Sequence, residues 1–506
     1  MYHLNESLMQ SAKQFPDRPA YVFMGETTTY VDFYQQVEHL AAGLAQLGIG
    51  KGDAVALLMD NRPHFVSAYF AILRVGAVVV PMNPIYTARE ISFILSNSKA
   101  KAAIALSALQ PVLTPMKDQI EDLQLLIYTE PIENELTIDQ LVQAGQESDA
   151  EYAEPERNED DLAVILYTSG TTGQPKGAML SHRNMASNAE AMGKLFELVP
   201  EDRMVAVLPM FHVFCMTVCM NGPIRTGATI IIMPKFHPAD VVQTIREQKA
   251  TCFAGVPTMY NYLLQSPTAT KEDLSSIRIY CSGGASMPVE LLHKFEAKYD
   301  AKVLEGYGLS EAAPATTFNP LHGTRKPGSV GVDIPLVKNK VVDPEGNELE
   351  RGEVGELVVQ GPNVMIGYLG LPDDTAAALR DGWLYTGDMA HMDEEGYVYI
   401  VDRKKDMILV DGYNVYPREV EEVLYQHPAI IEAAVIGIPD EVHGEAVKAF
   451  VALKEIAISQ EDIMAFCRDK LAKYKVPRQV EFVAELPKNS TGKILRRSLR
   501  TSRTTE

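Results

Sequence analysis

The stretch YTSGTTGQPKGAMLSH, residues Tyr167 to His182, decides the fold prediction because it joins a buried apolar run to the start of a helix. The run DLAVILYT is typical of a strand and Ser181 of a helix N-cap, so residues 168–177 are predicted to form the loop between them. Glycines let backbone N–H groups point at one ligand, while hydroxyl groups and a lysine add donors and charge. This composition predicts a polyphosphate site, because a polyphosphate has many oxygens to satisfy. The predicted ligand residues are Thr168, Ser169, Gly170, Thr171, Thr172 and Lys176.

This loop differs from a Walker A loop, in which the lysine is followed directly by serine or threonine. Here Lys176 lies between Pro175 and Gly177. The alternative interpretation is a surface loop that is rich in small residues and binds nothing.

The rest of the chain predicts an α/β fold with two domains. Helical and strand patterns alternate through the first four hundred residues, as in layered α/β folds around largely parallel sheets. Residues 328–362 change to short strands with Gly, Pro and Asp turns, which indicates a small β-rich subdomain. A charge cluster follows, and Pro417 suits a helix start. We therefore predict a large N-terminal domain over residues 1–401 and a small, mobile α+β C-terminal domain over residues 402–506.

Composition and charge exclude several functional classes. The 506 residues carry a formal charge of −21, which argues against nucleic acid as a partner. Five cysteines are an odd and sparse set for a disulfide framework, which favours a reducing compartment. The N-terminus lacks the long apolar core of a secretion signal, so cytoplasmic localisation is expected. The uncharged stretch Met204 to Ile224 is long enough to cross a bilayer. Prolines and an Asn-Gly pair interrupt it, so we predict a strand, a turn and a buried helix, and no integral membrane segment. Peripheral membrane contact and a homodimer stay open.

Six further motifs follow the first in order along the chain. They are PMFHVF (209–214), SGGASMP (282–288), EGYGLSE (305–311), YTGD (385–388), VDRKKDMI (401–408) and PKNSTGK (487–493). Together with the loop at residue 170, they resemble the signatures of the adenylate-forming superfamily, which includes acyl-CoA synthetases, luciferases and nonribosomal-peptide adenylation domains. The whole chain looks similar to bacterial medium- or long-chain fatty acid CoA ligases.

The resemblance implies two reactions in one pocket: a fatty acid displaces pyrophosphate from ATP to give an acyl-adenylate, and coenzyme A then attacks it. By resemblance, Lys493 is the catalytic lysine at the α-phosphate and His212 lies beside the acyl carboxylate. Glu311 would hold Mg²⁺, for which a carboxylate is a suitable ligand. Asp402 corresponds to the hinge. A rotation there would replace Lys493 by the segment around Gly412, where a missing side chain leaves room for pantetheine.

The remaining candidate residues are those expected to contact the ribose, phosphate and base of the nucleotide. Asp388 can accept hydrogen bonds from both ribose hydroxyls, Arg403 can reach ribose or phosphate, and Tyr307 can stack on the base. Two small-residue segments resemble the adenine-binding ones, and Ser310 keeps the hydroxyl of the threonine that is common there. The members of these segments are Gly283, Gly284, Ala285, Glu305, Gly306, Tyr307 and Gly308.

Several alternatives remain at this stage. They are a synthetase for an aryl acid or amino acid, a luciferase-like oxidation, and an ATP-gated binding protein without catalysis. A metal site at His212, Cys215 and Cys219 is rejected, because a complete ligand set is not apparent in the sequence. Asp411 stands where many relatives have Gly or Ser, and the basic tail with Arg496 and Arg497 is a candidate for the CoA phosphates. The preferred acyl chain length cannot be read from the sequence.

Overall fold

A computed structural model describes residues 2–148, 155–169, 175–440, 442–454, 458–490 and 492–501. Within these ranges the chain forms four β-sheets with helices packed around them, which confirms the predicted α/β class. The strands, in chain order, are β1 (Pro19–Phe23), β2 (Glu26–Thr29), β3 (Ala54–Leu58), β4 (Val78–Met82), β5 (Ala100–Ala105), β6 (Leu125–Tyr128), β7 (Leu136–Thr137), β8 (Leu162–Ser169), β9 (Pro175–Ser181), β10 (Arg203–Ala206), β11 (Thr229–Ile232), β12 (Cys252–Gly255), β13 (Ile279–Ser282), β14 (Val303–Gly308), β15 (Ala315–Phe318), β16 (Val332–Asp333), β17 (Lys338–Val342), β18 (Gly355–Gln360), β19 (Gly367–Tyr368), β20 (Leu379–Arg380), β21 (Trp383–Met392), β22 (Val398–Arg403), β23 (Ile408–Val410), β24 (Tyr413–Val415), β25 (Ile430–Asp440), β26 (Gly444–Leu453) and β27 (Gln479–Phe482).

The helices lie between these strands. The α-helices are α1 (Leu4–Gln14), α2 (Tyr30–Gln46), α3 (Pro63–Arg74), α4 (Ala88–Asn97), α5 (Gln110–Lys117), α6 (Ile138–Gln146), α7 (His182–Leu195), α8 (Gly222–Thr226), α9 (Pro238–Gln248), α10 (Pro257–Gln265), α11 (Val289–Tyr299), α12 (Pro372–Ala378), α13 (Pro417–Tyr425), α14 (Gln460–Arg468) and α15 (Arg496–Thr501). A π-helix spans Cys215–Asn221, and short 3-10 helices span Ser107–Leu109, Ser310–Ala312 and Lys473–Lys475.

The largest sheet has nine strands in the order β16-β15-β14-β13-β12-β10-β11-β1-β2. The strands from β14 to β1 in that order are parallel, and short apolar strands such as β11 and β12 are buried along their whole length. Short, continuous apolar runs suit a parallel sheet that helices cover on both faces. Because β14, β13, β12 and β10 are neighbours, their carboxyl ends meet at one edge, where α/β folds bind ligands.

The second sheet has eight strands in the order β19-β9-β8-β4-β3-β5-β6-β7, and it corrects one prediction. Residues 168–177 are not a single loop: β8 and β9 pair antiparallel, with Thr168 opposite Lys176. The hairpin pairing satisfies the backbone groups of residues that the sequence pattern assigned to the loop. Ser181 is the N-cap of α7 as predicted, because its hydroxyl accepts a 3.1 Å hydrogen bond from the Asn184 N–H. The connecting residues 170–174 lie outside the described residues.

Two smaller sheets complete the fold. One contains β17, β18, β20, β21 and β22, all antiparallel, and confirms the predicted β-rich subdomain. The other contains β23 to β27 and packs with α13, α14 and α15 around two apolar clusters that draw only on residues after 407. Helix α13 begins at Pro417 as predicted. The predicted boundary at residue 402 falls inside β22 and stays a prediction.

The uncharged stretch from Met204 to Ile224 divides into β10, the π-helix and the start of α8. Its π-helix is entirely buried in the core. In the parts of the chain that the structure describes, no helix is both long enough and apolar enough to cross a membrane.

Candidate active site

The carboxyl edge of the large sheet brings together three of the predicted motifs. His212 follows β10, Gly283 to Ala285 follow β13, and Glu305 to Gly308 form the end of β14. β13 and β14 are hydrogen-bonded neighbours and β12 alone separates β13 from β10, so motifs that are distant in sequence end at the same edge of the sheet. The fold therefore places these three motifs at one edge of the sheet.

The turn that carries Lys493 docks on the large domain at two points. The Asn83 amide donates a 2.9 Å hydrogen bond to the Ser490 hydroxyl, and the Thr258 hydroxyl donates a 3.2 Å bond to the Gly492 carbonyl oxygen. Gly492 has a φ of +84°, and a Cβ atom there would lie 2.9 Å from the Thr258 hydroxyl oxygen. This close approach requires glycine and fixes the residue next to Lys493.

The Lys493 ammonium is buried against charged groups of both domains. The pKa of Lys493 is lowered from 10.5 to about 8, first by burial and then by the Arg403 guanidinium, with the Asp388 carboxylate partly opposing both. Across the described ranges, the Lys493 ammonium forms no ion pair. A buried cation without a counter-ion is costly, so the site is ready for an anion.

The His212 ring lies near the Lys493 ammonium. Burial lowers the pKa of His212 to about 4, and the positive charge of Lys493 adds to that effect. Its ring Nδ1 accepts a 3.3 Å hydrogen bond from the Phe214 N–H, which fixes the neutral ring. His212 is therefore uncharged near neutral pH and can donate from its other nitrogen.

Asp388 links the predicted base and ribose residues. Its Oδ2 accepts a 2.5 Å hydrogen bond from the Tyr307 hydroxyl, and its Oδ1 lies 3.5 Å from Nε of Arg403. Asp388 and Arg403 are register partners on β21 and β22. Burial raises the pKa of Asp388, and Arg403 opposes this. Tyr307, Asp388 and Arg403 thus form one connected group.

In the predicted adenine-binding segments, three glycines lie where neighbouring atoms leave little room for a side chain. A Cβ on Gly306 would lie 2.4 Å from the Phe318 ring, and one on Gly308 would lie 2.2 Å from the Pro314 carbonyl oxygen. A Cβ on Gly283 would come within 3.2 Å of the Phe214 ring. In the second segment, Gly284 is exposed and has a φ of +76°, whereas Ala285 is half-buried. At Gly283, Gly306 and Gly308 an added side chain would crowd the neighbouring atoms, so the absence of a side chain lets the backbone pack closely there.

Glu305 differs from its neighbours because its carboxylate is buried without a cation in contact. The residue is 2% exposed, Oε1 accepts a 2.9 Å hydrogen bond from the Met287 N–H, and Oε2 has no hydrogen-bond partner. Burial raises the pKa of Glu305 to about 7, against the opposing charge of Arg418. A half-satisfied buried acid at the edge of a predicted base site suits hydrogen bonding with a ligand amide or ring nitrogen.

The candidate phosphate residues form a second cluster. Lys176 on β9 is ion-paired with Asp374 on α12, and its ammonium lies 5.4 Å from the centre of the Tyr368 ring. The Tyr368 hydroxyl donates a 2.9 Å hydrogen bond to Oε1 of Glu311. The structure therefore brings the predicted metal ligand Glu311 and the predicted phosphate ligand Lys176 to the two sides of one tyrosine. Gly170, Thr171 and Thr172 lie outside the described residues.

Sequence reasoning missed Tyr368 and Asp374. The segment GYLGLPDDT indicates a turn and a short helix and gives no sign that its side chains reach the phosphate loop. Ser310 lies in the 3-10 turn next to Glu311, and its role at the nucleotide stays a prediction.

One carboxylate is enough for the predicted metal. Among the described residues, no group of three or more His, Cys, Asp and Glu side chains is arranged to hold a metal ion. Mg²⁺ commonly binds through one or two carboxylates, water and substrate phosphates, so Glu311 near the predicted phosphate ligand Lys176 fits Mg²⁺.

Asp402 is the centre of a buried hydrogen-bond network. It is 5% exposed, and its carboxylate accepts hydrogen bonds from the Arg403 and Arg418 backbone N–H groups at 2.8 and 3.1 Å. The Arg496 guanidinium lies 3.2 Å from Asp402 and 2.7 Å from Glu421. In this arrangement Arg496 is therefore held by carboxylates, and its role toward the CoA phosphates after rotation stays a prediction.

Gly412 lies in the turn between β23 and β24. Its φ is +80° and no atom would lie within 4 Å of an added Cβ. Asp411 beside it has a φ of +52°, and its carboxylate lies 2.7 Å from Nδ1 of His443. The unusual carboxylate thus has a local partner, while the role of Gly412 toward pantetheine stays a prediction.

Comparison with known proteins agrees with this architecture. The model of the AMP-binding enzyme family matches residues 8–369, and the model of the AMP-binding enzyme C-terminal domain matches residues 419–493. A long-chain-fatty-acid--CoA ligase from Bacillus subtilis is 42% identical, with 98% of this chain and 94% of that protein covered. A feruloyl-CoA synthase from Amycolatopsis sp is 36% identical, with 97% of each chain covered. The ATP-bound structure of MatB from Rhodopseudomonas palustris superposes with a TM-score of 0.92 at 34% identity, over 99% of this chain and 98% of that one.

The layered α/β sheets, followed by a segment that matches the AMP-binding enzyme C-terminal domain, define the class of adenylate-forming enzymes. The chain belongs to the AMP-binding enzyme family, and thus to the adenylate-forming superfamily.

Proposed function

We infer that this chain is an ATP-dependent acyl-CoA synthetase that activates a medium- or long-chain fatty acid. The observation that carries this inference is the Lys493 turn, which docks on the large domain. It holds a buried ammonium near Asp388, Arg403 and His212, and this ammonium has no ion pair with any residue that the structure describes. Such an arrangement is suited to a reaction that develops negative charge at a phosphate and then releases it.

In the first step, a carboxylate oxygen of the fatty acid attacks the α-phosphorus of ATP, and the bond to pyrophosphate breaks. Lys493 stabilises the charge that develops on the α-phosphate oxygens, and Arg403 reaches the same region. Neutral His212 donates a hydrogen bond that orients the acyl carboxylate without trapping it as an ion pair. Asp388 holds the ribose, and Tyr307 with the Gly283 and Glu305 segments holds the base.

In the second step, the thiolate of coenzyme A attacks the acyl carbon, and AMP leaves with the electron pair of the broken C–O bond. The Lys493 turn occupies one side of the acyl-adenylate, so a thiol that approaches from that side requires the turn to leave. Asp402 lies on the strand that connects the domains and is suited to act as the hinge. Gly412 is the proposed point where pantetheine passes, since an open backbone with no side chain makes room for it.

Mg²⁺ would be held by Glu311 together with phosphate oxygens, and when bound it neutralises charge on the polyphosphate. Thr168, Ser169 and Lys176 would provide the remaining phosphate contacts with the connecting loop, since β8 and β9 bring both ends of that loop together.

The fatty acid is proposed as substrate on two grounds. Residues after His212 form a buried, apolar π-helix, and π-helical segments are frequent at functional sites. Several relatives of known activity are long-chain-fatty-acid--CoA ligases. The feruloyl-CoA synthase keeps an aryl acid as the second candidate. Five buried, free cysteines suit a reducing compartment, so we propose the cytoplasm.

The test is a series of saturated fatty acids and aryl acids with ATP, Mg²⁺ and coenzyme A, with AMP and acyl-CoA quantified separately. We expect equal amounts of both products and a maximum in kcat/KM within the fatty acids. Formation of ADP, or a higher kcat/KM for ferulate than for every fatty acid, would contradict the proposal. Lys493→Ala should lower pyrophosphate exchange by about 10²–10³-fold while ATP still binds.

A further inference from the structure

The polyphosphate cluster contains an acid that the proposed reaction does not use. Asp374 on α12 is ion-paired with Lys176, although the two residues are 198 positions apart. The Lys176 side chain is 16% exposed and that of Asp374 is 40% exposed. The lysine that is suited to bind phosphate therefore already has a carboxylate partner.

Asp374 is held in this position by the backbone around it. The Leu369 N–H donates a 2.8 Å hydrogen bond to the Gly177 carbonyl oxygen, next to Lys176 on β9. The Tyr368 N–H donates a 2.9 Å bond to the hydroxyl of Thr375, the residue after Asp374. Because the segment is tied to β9 at one end and folded onto itself at the other, the pairing is part of the fold.

Tyr368 connects this pair to the proposed metal ligand. Its ring lies beside the Lys176 ammonium and its hydroxyl donates to Glu311. A cation beside an aromatic face and a hydroxyl on a carboxylate are both favourable interactions. The two groups that would meet a magnesium polyphosphate are thus held at a fixed separation by one side chain.

We propose that Asp374 is an internal counter-ion that occupies Lys176 until the polyphosphate of ATP displaces it, and that it thereby sets the affinity of the enzyme for polyphosphate ligands. The inference rests on the proposed role of Lys176 in nucleotide binding. A triphosphate carries several negative charges and can outcompete one carboxylate, whereas a ligand with little charge cannot. Asp374 would then make binding selective for polyphosphates and would keep Lys176 positioned between turnovers.

The experiment measures binding and not turnover. Isothermal titration calorimetry of the full-length protein with ATP, without fatty acid or coenzyme A, gives the Kd of wild type, Asp374→Asn and Asp373→Asn. Asp373 is exposed on the same helix, so its variant has the same net charge as Asp374→Asn and controls for long-range charge. We expect Asp374→Asn to bind ATP about two- to fivefold more tightly, the range for loss of a partly exposed ion pair, and Asp373→Asn to match the wild type.

Three further measurements make the outcome decisive. Adenosine should bind all three proteins equally, Asp374→Glu should keep wild-type affinity, and in a Lys176→Met background Asp374→Asn should change nothing. Equal or weaker ATP binding by Asp374→Asn would overturn the proposal, as would equal tightening by Asp373→Asn or tighter adenosine binding. If the wild type bound no ATP, the proposed function itself would fail, which separates the two ideas.

Discussion

We predict that Lys493, as the proposed catalytic lysine, makes the adenylation step sensitive to pH in a range where lysines usually do not titrate. Burial against Arg403 lowers the pKa of its ammonium from 10.5 to about 8. Only the protonated form can stabilise charge on the α-phosphate. Because the pKa is lowered, the positive charge is present below about pH 8 and is lost as the pH rises through that value. At pH 7 about nine tenths of the lysine is charged, and at pH 9 about one tenth.

The expected result is therefore a fall of about tenfold in kcat/KM for ATP between pH 7 and pH 9, since this ratio reports the ionisation of the free enzyme. The assay is pyrophosphate exchange with fatty acid and without coenzyme A, which isolates adenylation. A lysine with its ordinary pKa of 10.5 would remain about 97% charged at pH 9 and would give no fall in this range.

Two variants assign the titration. Lys493→Arg keeps its charge at all these pH values, so its profile should be flat at a lower plateau. Glu305→Gln removes the other group nearby that titrates in this range, whose pKa burial raises to about 7, and should keep the fall. His212, with its pKa lowered to about 4, does not change charge here. A fall that persisted in Lys493→Arg and vanished in Glu305→Gln would refute the reasoning.

Two further predictions concern stability. In Gly308→Ala the new Cβ would lie 2.2 Å from the Pro314 carbonyl oxygen, so urea unfolding should show a loss of about 1–3 kcal/mol, with Gly50→Ala, where no atom is within 4 Å, near wild type. A wild-type unfolding midpoint for Gly308→Ala would contradict the close packing of that strand. Arg496→Ala leaves two largely buried carboxylates without their cation, so we expect a loss of about 3 kcal/mol, compared with no measurable loss for the exposed Arg468→Ala. Equal unfolding of the two arginine variants would show that the ion pairs contribute little.

Much of this fold could be predicted from local patterns. The cap at Ser181 and the helix start at Pro417 depend on a few adjacent residues, and both are as expected. The α/β class follows from the alternation of short apolar runs with helical patterns. The meeting of the 212, 283 and 305 motifs at one edge follows from parallel strands that end at the same side of a sheet.

The β8 and β9 hairpin shows why other features were not predictable. The sequence predicts a loop over residues 168–177. Pro175, Lys176 and Gly177 are poor strand formers, yet the pairing of β9 with the buried strand β8 outweighs that preference. The same holds for the Asp374 and Lys176 pair, since nothing local connects residues 198 positions apart. Glu305 was expected near the base, but the lack of a partner for its Oε2 depends on tertiary packing.

The basic C-terminal tail can now be divided by function, using the carboxylates around it. Lys488 lies 2.9 Å from Glu432, and both side chains are largely buried. Arg496 is held by Asp402 and Glu421. These two cations flank Lys493, and each has an acid that compensates its burial, whereas in the described part of the chain Lys493 has none. The ion pairs of Lys488 and Arg496 hold the Lys493 turn in place. Their stabilising energy offsets the cost of burying the Lys493 ammonium, which has no counter-ion in the described part of the chain. The sequence shows six basic residues among the nineteen from Lys488 to Glu506, but only the placement of distant acids separates Lys488 and Arg496, which are ion-paired, from Lys493, the proposed phosphate ligand.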